Sequence, residues 1–374
     1  MKKIAVFAVM IILTAVFSES AFAMADSADC ACLINGTTGE VVFSKNMDEQ
    51  HSMASTTKIM TAIIAIEQCD MEEKVTVSRN AAYQEGSAAY VRENNVIAMK
   101  DLLYGLMLNS GNDAAVAIAE HISGSSEAFA ELMNKKAEVL GLTNTHFMNP
   151  NGLDNPEHYT TAYELAMIAK YAMENEDFRE IVSTRTYQAT PDNSTETLYF
   201  SNHNKMLKNY EGSTGIKTGY TKATGRCLVS SAERDDMEFI AVTLGDPNDW
   251  KDHSEMLDYA FAEHYPKQVV REGMKVKIAE IDGNKYNMVA KEDFTVPLKE
   301  REKTEIEVVT HIAENLDAPI NEGEKIGYLD ILCNGQSAGR VDVVSESDIG
   351  NIDKMQLKNS FLERLTGVFR NLLN

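Results

Sequence analysis

Basic residues are the minority in this chain. Thirty-five Lys and Arg stand against 57 Asp and Glu, for a formal net charge of −22. A protein that grips a phosphate backbone needs a basic face, so a general affinity for nucleic acid is excluded. Cysteine is scarce and scattered. The five, Cys30, Cys32, Cys69, Cys227 and Cys333, are odd in number and form no disulfide framework. Cys30-x-Cys32 has no CxxC or HxxxH partner, so neither a metal site nor a cofactor is expected. The apolar run from Ile4 to Phe17 falls short of the roughly 20 residues that span a bilayer. Lys2 and Lys3 precede it and Ala21-Phe22-Ala23 follows it, the pattern of a signal peptide. Residues 1–23 are therefore expected to be removed, with Ala25 as the second choice of cleavage point. The protein is expected outside the cytoplasm. Cys30 lies too far past the apolar run to be a lipidation site.

What remains is ordinary for a globular protein: 374 residues, 44% hydrophobic and 25% charged. That length suggests two folded units. Residues 31–45 read as a hairpin around Asn35-Gly36-Thr37-Thr38-Gly39. Helical spacing runs from Ser55 to Glu67, through 100–123 with a break at Asn109–Asn112, and again over 126–140 and 160–174. The loop between the last two carries Asn149-Pro150-Asn151-Gly152. Strand-like runs at 227–233 and 238–245 flank a turn at Asp235-Asp236, and a helix from Asp252 to His264 follows. Helices between an N-terminal hairpin and C-terminal strands suggest one sheet assembled from both ends. The first unit is expected over 24–270. Short alternating runs over 271–348 read as a small all-β domain. The tail, 349–374, has Leu357, Phe361, Leu362, Leu365, Val368, Phe369, Leu372 and Leu373 at helical spacing, with Lys354, Lys358, Arg364 and Arg370 between them. It reads as a helix docked on its own domain or as one lying in a membrane interface. Local basicity in an acidic protein favours the interface.

Three motifs carry chemistry. In "MASTTKIMTA", Ser55 and Lys58 share one face of a helix. A serine hydroxyl needs a base to become a nucleophile, and a lysine serves only if burial or a nearby cation lowers its pKa. The apolar surroundings offer the burial. Alone, Ser-x-x-Lys is expected about once by chance in a chain this long. In "LNSGNDAA", Ser110-Gly111-Asn112 would offer a hydroxyl and an amide to a cleft, although the same residues suit a helix cap. In "STGIKTGYT", Lys217-Thr218-Gly219 lies on a strand edge that could pair with an extended peptide. Lys217 would add a second cation and Thr218 a hydroxyl, while Gly219 would let a ligand approach the backbone. The competing account is an edge strand guarded by its lysine.

Taken in that order, the three motifs resemble those of penicillin-recognising serine enzymes. The chain resembles the low-molecular-mass penicillin-binding proteins that are serine-type D-alanyl-D-alanine carboxypeptidases, and the resemblance covers essentially the whole mature chain. "DLLYGLMLNSGNDAAVAIAEHISGS", "THFMNPNGLDNPEHYTTAYELAMIAKYA" and "GIKTGYTKATGRCLVSSAERDDMEFIAV" carry it beyond the motifs. The resemblance implies an α+β transpeptidase/β-lactamase-like domain, a mainly antiparallel sheet with helices and a helical subdomain, then the β domain and a C-terminal amphipathic helix on the outer face of the cytoplasmic membrane. It implies that Ser55 attacks the terminal D-Ala-D-Ala bond of peptidoglycan stem peptides, with Lys58 as general base and Ser110 relaying a proton. Asn112 would hold the substrate or Lys58, Lys217 would depress the Lys58 pKa, and Thr218 would bind the substrate carboxylate. The backbone N–H groups of Ser55 and Tyr220 would form the oxyanion hole, and β-lactams would trap Ser55 covalently.

The chain departs from the pattern at two places. Where family members often carry a carboxylate-gripping arginine, 245–257 has none, leaving Lys251 or His253 as substitutes or the grip elsewhere in the chain. A Gly-Glu pair common before "DLLYGL" is replaced by Glu93-Asn94-Asn95. Endopeptidase or transpeptidase activity in the same site is an alternative. A β-lactamase fits less well, since the offset of its deacylating glutamate falls on His146. A non-catalytic scaffold would be expected to have lost one of the motifs.

Overall fold

The computed structural model describes residues 24–281, 284–299, 303–312 and 319–350. The expected signal peptide and residues 351–374 of the expected amphipathic helix lie outside the described residues. At 349 a helix does not begin: Ile349 and Ile320 exchange both backbone hydrogen bonds as a β-bridge.

The chain opens with the expected hairpin, β1 (Cys30–Asn35) and β2 (Val41–Lys45). Asn35 Oδ1 accepts from the backbone N–H groups of Thr37 and Thr38, an Asx turn that closes it. A tight 3₁₀ turn, Ala54–Thr57, then runs into α1 (Lys58–Gln68). A small ribbon follows: β3 (Lys74–Thr76), the single turn α2 (Arg79–Ala82) and β4 (Val96–Ala98). The apolar run at 100–123 is two helices, α3 (Met99–Leu108) and α4 (Asn112–Ser123), broken where the sequence shows Asn109-Ser110-Gly111. Helices α5 (Ser126–Val139), α6 (Ala162–Met173) and α7 (Glu176–Ser183) each start on a side-chain cap, from Ser125, Thr161 and Asn175. A second ribbon, β5 (Thr186–Ala189) and β6 (Leu198–Ser201), and the turn α8 (Met206–Asn209) lead to β7 (Ser213–Thr221), β8 (Gly225–Arg234) and β9 (Met237–Leu244). Asp235 and Asp236 both hold positive φ, the backbone of a two-residue hairpin turn. Helix α9 (Asp249–Glu263) closes the unit.

The main sheet has the order β2-β1-β9-β8-β7, with antiparallel neighbours throughout. It is thus built from both ends of the unit, as the pattern suggested. Alternation divides its residues between two cores. Cys32, Ile34, Val229, Ile240 and Val242 pack with the buried faces of α1, α3, α4 and α6. Ala31, Leu33, Leu228, Phe239 and Ala241 pack on Met256, Leu257 and Ala260 of α9. Strand β7 lies at the sheet edge, and the 3₁₀ turn sits against it.

The C-terminal part is all β: β10 (His264–Val270), β11 (Lys275–Ile281), β12 (Asn284–Ala290), β13 (Phe294–Lys299), β14 (Ile306–Ile312), β15 (Lys325–Cys333) and β16 (Gln336–Ser345). Five strands form the sheet β11-β12-β16-β15-β14, and β10 pairs with β13. Strands β10, β12 and β13 were not legible in the sequence. Pro266 and Pro297 stand opposite each other in the β10–β13 pair, and proline argues against a strand except in such edge ribbons. Val270, Met288, Val296, Leu329, Ile331, Val341 and Val343 share one core beneath both sheets.

Candidate active site

Ser55 lies in the 3₁₀ turn and Lys58 is the first residue of α1. Residues three apart eclipse each other in a 3₁₀ turn, which stacks the two side chains. Lys58 is fully buried. Its Nζ is 3.0 Å from Ser55 Oγ, 2.8 Å from Asn112 Oδ1 and 2.5 Å from the carbonyl oxygen of Asn151. As an ammonium it donates to all three. As a neutral amine it keeps two of those bonds and turns its lone pair to the Ser55 hydroxyl. Burial, then the charge of Lys217, hold its pKa well below the ordinary lysine value, against a smaller opposing effect of Asp113.

Lys217 is also fully buried, and burial lowers its pKa to about 7. Its Nζ donates to the carbonyl of Thr218 on its own strand. Asn112 begins α4 and has both polar atoms in use: Oδ1 accepts from Lys58, and Nδ2 donates to the Glu85 carbonyl at 2.6 Å. Of the two tasks expected of Asn112, the geometry supports holding Lys58. Ser110, at the break between α3 and α4, has a buried Oγ with no hydrogen-bond partner. Its backbone has φ +59°, and Ala54, just before Ser55, has φ +45°. Such conformations cost about 1–3 kcal/mol each in non-glycine residues and here border the reactive groups.

Strand β7 presents Thr218 half-buried and Tyr220 64% exposed. Gly219 has a reason in the fold beside the one expected. A Cβ there would lie 3.1 Å from the Met53 carbonyl oxygen and 3.2 Å from the backbone nitrogen of Ser55. The glycine lets the turn bearing Ser55 approach the strand.

Sequence reasoning missed the layer beneath the turn. The loop at 149–152 was legible only as a loop, yet it carries the Asn151 carbonyl to Lys58 and Gly152 to the turn. Gly152 has φ +84°, and a Cβ on it would sit 2.0 Å from the Ala54 oxygen. His158 was not singled out. Its Nδ1 accepts from Met148 N, so Nε2 carries the proton toward Thr57 Oγ1 at 2.7 Å, and Thr57 donates to the Ala54 carbonyl. Burial, with His146 and Lys58 adding, lowers the His158 pKa to about 4, so the ring is neutral at physiological pH. Asp113 was missed too. It accepts from the backbone N–H groups of Ala89, Val91 and Ala114 and ties the loop before β4 to the start of α4. Partial burial of the His203 ring, then the charge of Lys217, lower its pKa.

Neither proposed substitute for the missing arginine is suitable. His253 is fully buried between Ser230 Oγ and Thr243 Oγ1, and burial lowers its pKa to about 3. It is a neutral core residue. Lys251 is spent on an exposed pair with Glu255 one turn along α9. His146, at the β-lactamase offset, bonds the Glu157 carbonyl and brings no carboxylate. Among the described residues, Cys69, Glu73 and His121 place ligand atoms within 4.8 Å of one another. They lie at the far ends of α1 and α4, about 16 Å along α1 from Lys58 at 1.5 Å per residue, and a His121–Glu73 contact of 2.9 Å already pairs two of them.

The family model of D-alanyl-D-alanine carboxypeptidases, peptidase family S11, matches residues 17–248, and that of the penicillin-binding protein 5 C-terminal domain matches residues 265–351. The chain is 34% identical to the D-alanyl-D-alanine carboxypeptidase DacF of Bacillus subtilis, over 89% of this chain and 91% of that one. Penicillin-binding protein 5 of Haemophilus influenzae superposes with a TM-score of 0.62 at 27% identity, covering 87% of this chain and 98% of its own. The DD-transpeptidase of Streptomyces K15 superposes with a TM-score of 0.61 at 33% identity, over 63% of this chain and 97% of that one. A buried lysine on a serine hydroxyl, set in this sheet-and-helix frame and followed by this β-rich part, has one family to which it answers: the chain belongs to the serine D-alanyl-D-alanine carboxypeptidases, the low-molecular-mass penicillin-binding proteins.

Proposed function

We propose that this carboxypeptidase removes the terminal D-alanine from peptidoglycan stem pentapeptides through an acyl-enzyme on Ser55. The observation that carries the assignment is the fully buried Lys58 Nζ at 3.0 Å from Ser55 Oγ. Neutral Lys58 takes the Ser55 proton as Oγ attacks the carbonyl between the last two D-alanines. The oxyanion is received by the backbone N–H groups of Ser55 and Tyr220, a contribution of about 3 kcal/mol per donor. As the C–N bond breaks, the leaving D-alanine nitrogen takes its proton through Ser110, whose uncommitted hydroxyl suits a relay. Lys58, neutral again, deprotonates a water that attacks the ester and returns Ser55. Thr218 takes the substrate's terminal carboxylate, Lys217 keeps the site positive, and the free edge of β7 pairs with the peptide backbone.

Intact-mass spectrometry with penicillin, followed by peptide mapping, tests the nucleophile. One long-lived adduct on Ser55 is expected, and Ser55→Ala should lose both the adduct and D-alanine release from a pentapeptide. Equal release by both proteins would refute the assignment. Rapid turnover of penicillin would move the reading to a β-lactamase. Likeness to a protein titled a DD-transpeptidase supports a second activity at the same site. Digestion of cross-linked muropeptides beside the pentapeptide separates the two.

Residues 1–23 act as the export signal, and the catalytic unit runs from 24 to the end of α9 at Glu263 rather than to 270, since β10 (His264–Val270) pairs with β13 and places Val270 in the β-domain core. The β domain, with β10 as its first strand, forms a spacer. The basic amphipathic segment that the sequence places after the bridge at Ile349 holds the enzyme on the outer leaflet of the cytoplasmic membrane. The anchor is peripheral in this reading, and no described helix is long and apolar enough to cross a membrane.

A further inference from the structure

A peptide ending in D-Ala-D-Ala presents a free carboxylate beside the scissile bond, and the segment after β9 supplies no free cation for it. His253 is a neutral core residue, and Lys251 is paired toward solvent. The sheet register points to another group. Strand β7 is the edge strand, and β8 is its neighbour in the sheet. In that pair Arg226 stands directly opposite Tyr220, and Leu228 directly opposite Thr218. Directly opposed residues share a face, and so do residues two apart on one strand. Thr218, Tyr220 and Arg226 therefore lie on the same face, the one on which Leu228 packs against α9, with Arg226 diagonal to Thr218. Lys217 and Gly219 lie on the other face, toward the turn of Ser55, and a ligand paired along the free edge of β7 is within reach of both faces. Diagonal neighbours have Cβ atoms no more than about 7–8 Å apart, within the reach of an arginine side chain.

The guanidinium is held in one orientation. Asp249, at the start of α9, takes it side-on, with Nε at 3.0 Å and Nη2 at 2.8–2.9 Å. The Trp250 ring lies 5.6 Å from its Cζ. Asp249 is 3% exposed, whereas the Arg226 side chain is 41% exposed. The clamp occupies one edge of the fork and leaves Nη1 out of the pair. A guanidinium fixed before the ligand arrives loses little entropy on binding it, and its planar N–H groups match a carboxylate.

We propose that Arg226, set by Asp249, binds the terminal carboxylate of the substrate together with Thr218, and so selects peptides with a free D-alanine C-terminus. The cation reaches the site from the neighbouring strand instead of from the segment after β9. The proposal rests on Ser55 being the nucleophile of this site. Arg226 acts in ground-state and transition-state binding alike, so its loss falls mainly on KM.

The test compares a tripeptide ending in D-Ala-D-Ala with the same tripeptide carrying a C-terminal carboxamide. The wild-type enzyme should favour the free acid in kcat/KM. Arg226→Gln should lower that acid-to-amide ratio about 10- to 100-fold, the range for a hydrogen bond to a charged group, with most of the change in KM. Because Arg226→Gln leaves a buried carboxylate unpaired, Arg226→Gln with Asp249→Asn is the deciding variant, and it should show the same loss. A folded double variant that keeps the wild-type ratio overturns the proposal. Failure of the reading of Ser55 looks different: Ser55→Ala would then cleave both peptides at the wild-type rate, whatever the acid-to-amide ratio of the Arg226 variants, and the role of Arg226 at this site would fall with it.

Discussion

Under the proposed roles Lys58 must lose its proton while Lys217 keeps its own, and the two environments allow that order. Burial lowers both, and the charge of Lys217 lowers Lys58 further. The mechanism requires Lys58 to become neutral first as pH rises, while Lys217 stays cationic until about 7. The second-order rate of acylation by a penicillin should rise as Lys58 deprotonates, then fall as pH passes about 7 and Lys217 discharges. The two lysines titrate as a pair, so the limbs belong to the dyad. A stopped-flow profile from pH 5 to pH 10 checks this, and a rate still climbing at pH 9 would remove the Lys217 charge from the mechanism. The serine and both lysines were legible from three motifs in order. The apolar setting of Lys58 and the influence of Lys217 on it were expected too, but the burial of Lys217 and the Asn151 carbonyl on Lys58 were not, because they depend on neighbours distant in sequence.

At the scale of elements, the site depends on a stack. The loop at 149–152 supports the 3₁₀ turn, the turn opens α1, and β7 lies against the turn. Two glycines permit the close approaches, Gly152 below Ala54 and Gly219 beside the Ser55 nitrogen. Gly152→Ala would combine a forbidden φ with a backbone clash and should cost about 2–3 kcal/mol. The larger effect should be on acylation, since the displaced turn carries the nucleophile. Thermal unfolding and penicillin acylation measured together test it. A folded variant with wild-type acylation would show that the loop does not set Ser55. The helices and the β8–β9 hairpin were readable from periodicity and from Asp235-Asp236. The β10–β13 ribbon was not, since its prolines resemble strand breakers until the two strands are seen as an edge pair.

For the whole molecule, the proposed membrane anchor is a question of charge. A chain with net charge −22 is repelled by an anionic surface, so under that proposal attachment must come from a local exception. The tail provides one in Lys354, Lys358, Arg364 and Arg370, set among leucine, valine and phenylalanine. Deletion of 351–374 should release the protein from anionic vesicles and leave pentapeptide hydrolysis in solution intact. Continued sedimentation of the truncated protein with vesicles would overturn the anchor. At this scale the sequence showed two folded parts and a distinct tail, because composition and pattern change along the chain.

The sequence by itself determined the chemistry available and its order: a serine, two lysines, a second serine and a glycine-bearing strand, on elements whose periodicity is local. Only the tertiary structure decided what each group can do. It buried Lys58 and Lys217, left the Ser110 hydroxyl without a partner, committed Asn112 to Lys58, put His253 in the core and aligned Arg226 with Thr218. Residue identity is written one position at a time. Desolvation, register and hydrogen-bond partnership are properties of contacts between segments many residues apart, and they exist only once the chain has folded.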